Sequence, residues 1–148
     1  MRNIILILSL LLPAALAQAQ QPAPLPDARM LVNMPDVPRS VMRADMLDHM
    51  AALNEIIGDL AENKFEAAAE TAEKRIGQSA MGRNASMARG QGPGRFMPDT
   101  MRQMGWNMHG AASEFAKVAK TGDKTKALTA LQQVTASCVA CHMAFRTR

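Results

Sequence analysis

The sequence predicts an all-α fold, an antiparallel four-helix bundle. Two observations carry that expectation. Apolar residues recur with a period near 3.6 over four separate stretches, and aromatic residues make up only 3% of the 148-residue chain while Ala and Met abound. A β-sandwich or barrel would need β-branched and aromatic strands that this composition does not supply. At this length one core is expected and a second domain is not.

The chain opens on a segment that stands apart from the fold. Met1-Arg2-Asn3 is a short basic start, Ile4 to Leu12 is an apolar run broken only by Ser9, and Ala15-Leu16-Ala17 is a small-x-small ending. Together they describe a signal peptide over residues 1–17, with a second cleavage point after Ala19. The run is too short to serve as a membrane anchor, so no stable membrane insertion is expected after cleavage. Export places the mature chain in an oxidising compartment, most simply a bacterial periplasm. Residues 18–36 are rich in Gln, Pro and Ala, with Pro22, Pro24 and Pro26 at alternate positions, and should be extended or disordered. The folded domain is expected over residues 37–148.

The first helix starts near Pro38, which suits a first turn, with Asp36 as its cap. With Met42 set at zero and about 100° per residue, Met46, Met50, Leu53, Ile57 and Leu60 fall within an arc of about 80°, a stripe expected to face the core. Asn63 can cap the second helix, whose Phe65, Ala68, Ala69, Ala72 and Ile76 share a face and which Gly77 should stop. From Gly77 to Phe96 runs a long Gly-rich loop with room for a short extra turn. Pro98 and Asp99 open the third helix, with Met101, Met104, Met108, Ala111, Phe115 and Val118 as its stripe and Gly122 at its end. His109 lies off that stripe and is expected at the surface. Asp123 caps the fourth helix, which runs to about Arg146 with Ala127, Leu131, Val134, Cys138, His142 and Phe145 on one side.

The formal charge of +4 falls to +3 when Arg2 leaves with the signal peptide. Lys and Arg are spread along the chain, so there is no nucleic-acid footprint.

The chemistry concentrates in one place. The chain has 2 cysteines, and they stand in Cys138-Val139-Ala140-Cys141-His142 near its end. In an exported chain, C-x-x-C-H suits covalent haem attachment, with two thioethers to the vinyl groups and the adjacent His as an axial ligand to iron. Helical spacing brings all three residues to one side. Other chemistries fit less well. A redox dithiol lacks its βαβ surroundings, a zinc site lacks ligands because His49 and His109 are the only other histidines, and a disulfide within one helix is strained. One covalently attached haem c is the expected cofactor.

The segment Cys138-x-x-Cys141-His142-x-x-Phe145-Arg146, closing an exported four-helix chain, resembles the class II c-type cytochromes, the cytochrome c-prime family. The likeness covers Val37 to Arg146, with Trp106 and Ala111-Ala112-x-x-Phe115 as its weaker part. It implies His142 as proximal ligand, a haem between the first, third and fourth helices, redox donor and acceptor proteins as partners rather than a substrate turned over, and dimers as a common state. The run Ala44-Asp45-Met46-Leu47-Asp48-His49-Met50-Ala51-Ala52-Leu53-Asn54 also resembles the first helix of the non-covalent b-type four-helix cytochrome of the periplasm. That second likeness implies Met50 and His142 as the iron ligands of a low-spin carrier of single electrons.

From the residues alone the sixth ligand stays open. Met42 and Met46 share the stripe with Met50, methionine at helical spacing more often packs than ligates, and His49 at the stripe's edge would allow a bis-His iron. Two other functions also stand. One is a five-coordinate binder of small gases such as NO and CO. The other is a copper-binding protein, since thioethers at Met42, Met46, Met50, Met97, Met101, Met104 and Met108 favour Cu(I).

Overall fold

Each expected amphipathic stretch is a helix in the computed structural model, which describes residues 26–84, 86, 87 and 90–148. The expected signal peptide and the first part of the Pro/Gln-rich segment lie outside those residues. The helices are α1 (Asp36–Ala61), α2 (Phe65–Arg75), α3 (Asp99–Ala119) and α4 (Lys124–Ala144). Two-residue strands β1 (Met30–Leu31) and β2 (Phe145–Arg146) flank them, and short 3-10 turns at Gln78–Ala80 and Pro93–Arg95 interrupt the long connection. The architecture is an all-α four-helix bundle. α1 packs on α2, α2 on α3, and α3 most extensively on α4, whereas α1 and α4 meet only marginally. A seam between α1 and α4 is therefore left open.

Local chemistry at the helix ends partly follows the sequence reading. Asp123 caps α4, its carboxylate accepting from the Lys126 amide at 3.0 Å. Asp36 and Asp99 do not cap. They sit inside the first turns of α1 and α3, each paired with the arginine three residues on, where a negative charge faces the positive end of the helix dipole. Asn63 does not cap α2 either: at φ +60° it takes the left-handed conformation that reverses the chain after α1. Gly122, at φ +73°, does the same after α3. Gly77 is required for room rather than for backbone freedom, because a Cβ there would stand 2.8 Å from the Glu73 Cα.

Small residues make the main core thin and close. Ala52, Ala68, Ala69, Ala72, Ala112 and Ala127 let the helices approach around Phe115, Ile56, Leu60 and Val134, all fully buried. A second apolar cluster lies at the other end of the bundle, built from Val32, Met34, Met42, Met101 and Phe145, with Phe96, Met104 and Cys141 beside it. It exists because β1 runs parallel to β2, Met30 opposite Phe145 and Leu31 opposite Arg146, extended by the Val32 amide donating to the Arg146 carbonyl at 2.8 Å. The packed chain thus begins before Val37. Residues 30–34 are extended, as expected, yet docked, with Val32 and Met34 turned inward and Asn33 outward.

The buried face of α1 departs from the expected stripe. It consists of Pro38, Val41, Met42, His49, Ala52, Ile56 and Leu60, and is centred about 70° around the helix from the arc that would include Met50. Met50 is 67% exposed and Ile57 56% exposed, because they border the open seam instead of the core.

Candidate functional site

The last two turns of α4 carry the site. Cys138 and Cys141 are free thiols, both half-buried, and burial pushes both up from the ordinary thiol range. Cys138 packs at the edge of the main core and Cys141 against the second cluster, so the pair bridges the bundle's two apolar regions. His142 is exposed, and its backbone carbonyl accepts from the Arg29 guanidinium at 3.4 Å. The helix closes on the Phe145 amide donating to the Cys141 carbonyl.

The flanks of α1 and α4 can be told apart by what covers them. On α1, Asp48 and Glu55 face α2, both held by Arg75 at 2.6 and 2.7 Å. Met46, Met50 and Ile57 lie on the opposite flank, roughly 140° or more around the helix from those carboxylates. On α4, Lys126, Ala130 and Gln133 line the groove against α3. His142 lies about 120° or more away from them, in line with Leu131 and Cys138 and exposed at the end of the helix. Met50 and His142 are both exposed, each on a flank of its helix turned away from those contacts.

The other histidines are not where the sequence put them. His49, expected at the edge of the stripe, is only 9% exposed, and burial together with His109 holds its ring below the usual imidazole range, favouring the neutral form. His109, expected at the surface, is half-buried: its Nδ1 lies 2.5 Å from the Ile76 carbonyl, and its ring meets His49 edge-to-face with centroids 5.9 Å apart. The carbonyl that draws it in belongs to the end of α2, far away in sequence. Trp106 is exposed.

The sequence reading missed the segment before α1. Asp27, Arg29, Val32 and Met34 all contact the end of α4 or the cluster beside it. The alternation of Val32 and Met34 about Asn33 was the available signal.

Residues 97–146, which span α3 and α4, match the family model described as Cytochrome C'. The matched third of the chain is similar to the cytochrome c-prime family. No characterised protein and no solved structure gave a match to it. That likeness supports a covalently bound haem c and a role in electron transfer or gas binding, with redox proteins as partners in general. Among the described residues no helix is long and apolar enough to cross a membrane. The donor set fits the group. Two free thiols on one side of a helix flank an accessible imidazole, and the apolar clusters on either side of the sulfurs suit a large apolar ring system. Among the described residues no three His, Cys, Asp or Glu converge as a metal site, so a zinc reading gains no ligands.

Proposed function

We propose that this chain is an exported, periplasmic, single-haem carrier of electrons between redox partner proteins. Cys138 and Cys141 would hold the haem through thioethers, and His142 and Met50 would be its axial ligands. When bound, the haem iron supplies one-electron chemistry, cycling between Fe(III) and Fe(II). The observation that supports the reading is that Met50 and His142 are both exposed and free of the protein's own packing, so both are available to a bound group. Met50 at 67% and Ile57 at 56% exposed leave apolar surface on α1 that a bound haem would cover. Side chains on a helix lean toward its N-terminus, so in an antiparallel pair the two ligands lean toward each other. A thioether would be a soft ligand favouring Fe(II), and the apolar clusters beside the two cysteines would help keep water from the group.

The test is optical. The purified protein should retain haem through acid-acetone extraction and lose it in the Cys138→Ala, Cys141→Ala double variant. The ferric wild type should be low-spin with the weak long-wavelength thioether-to-iron band. Met50→Ala should turn it high-spin and open the ferrous form to carbon monoxide, whereas Met46→Ala should leave the spectrum low-spin. A wild type already high-spin in both oxidation states would overturn the electron-carrier reading in favour of a five-coordinate gas binder.

A further inference from the structure

The segment before α1 touches the site at three independent points. Its strand β1 pairs with the two residues that follow the helix, and the Val32 amide extends that pairing to the Arg146 carbonyl. Arg29 reaches across to donate to the backbone carbonyl of His142 itself. Asp27 stands between two guanidiniums, 2.7 Å from Arg29 and 3.4 Å from Arg146. The Arg146 Nε is buried and has no hydrogen-bond partner among the described residues, so the Asp27 carboxylate is its counter-charge.

We propose that Asp27–Met34 is a positioning strap for the axial histidine: its pairing and Arg29 fix the backbone at His142, while Asp27 neutralises the two guanidiniums nearest that residue. Arg29 and Asp27 are positioning residues, acting on the iron through the backbone and the local field. The inference rests on His142 ligating a haem. Its charge component has a definite sign. Reduction adds an electron to the iron, so positive charge freed nearby stabilises the reduced form and raises the potential. Removing the Asp27 charge frees both Arg29 and Arg146, neither of which has another carboxylate partner among the described residues. Nothing opposes that field from α4, because the stretch from Ala127 to Phe145 contains no Asp, Glu, Lys or Arg.

The experiment uses the full holoprotein. Its absorption spectrum first establishes that the wild type carries haem with histidine ligation; a chain without it would defeat the functional reading before the strap is addressed. Asp27→Asn should then shift the reduction potential to more positive values, while Glu66→Gln, an equal charge change on α2, should leave it in place. Arg29→Ala should speed amide hydrogen exchange over Cys141–Arg146 by tenfold or more, with no comparable change in α2. Arg29→Lys, which keeps charge and most of the reach, should recover much of that protection and show that the effect is contact rather than misfolding. The proposal is overturned if a normal haem spectrum is accompanied by a potential that Asp27→Asn moves no more than Glu66→Gln does, and by unchanged exchange in Arg29→Ala.

Discussion

Phe145 is the residue on which the second cluster and the strap both depend. It is 7% exposed, it belongs to β2, and it packs with Val32, Met34, Met42 and Met101. Truncating a fully buried Phe to Ala costs about 3–5 kcal/mol, from lost transfer energy and the cavity left behind. Here the cavity lies at the end of the bundle and three of its four neighbours are methionines, whose flexible chains can close part of the gap. The lower end of the range, about 3 kcal/mol, is therefore expected for Phe145→Ala. For a domain of this size that corresponds to a fall in Tm of roughly 10 °C. Thermal unfolding of the holoprotein followed by circular dichroism gives the magnitude, and hydrogen exchange gives the location. Protection should be lost first at Val32, Met34 and the end of α4, while Ala69 and Phe115 in the main core keep theirs. A fall in Tm under about 3 °C, with exchange at Val32 unchanged, would refute the reasoning, because a real keystone cannot be removed so cheaply.

Two further outcomes follow from the packing. Gly77→Ala should destabilise by about 1–3 kcal/mol in urea titration, because the added Cβ meets the Glu73 backbone at 2.8 Å and the turn between α2 and α3 must shift. The Glu73 carboxylate is held below its ordinary value of 4.5 by hydrogen bonds from Ser113 and from Ser79. Since the folded form holds this proton less tightly than the unfolded chain, its contribution is complete above that ordinary value and is lost as pH falls through the folded one. Glu73→Gln should accordingly flatten the acid limb of the stability curve, and an unchanged acid limb would show that the carboxylate contributes nothing.

Most of the helical framework was legible because helices announce themselves locally. The period of Met101, Met108 and Phe115, or the Asp123 cap, needs no distant partner to be read. What escaped was set by contacts across the chain. His109 reads as a surface residue until the Ile76 carbonyl is brought within 2.5 Å by the fold. The α1 stripe was displaced because helical periodicity counts every apolar residue as core, whereas a helix bordering an open seam has two apolar flanks and only one of them meets protein. Met50 therefore reads as packing from period alone, and its exposed position is what separates it from Met42, which is buried in the second cluster. The Cys138, Cys141 and His142 spacing was plain from the sequence, while the strap behind it was not, since an eight-residue segment after a Pro-rich run carries almost no local signal.

The parallel pairing of Met30 with Phe145 joins points 115 residues apart. Closing a loop of that length is entropically the most expensive contact in the molecule, and only a few ladder hydrogen bonds and one small cluster offset it. The helical hairpins, whose contacts are local, form before it. Strap docking is then expected late in folding and early in unfolding, so the backbone at His142 should be pinned only once the rest of the bundle is in place. Chemistry on those two sulfurs would meet a freer backbone before the strap docks than after it.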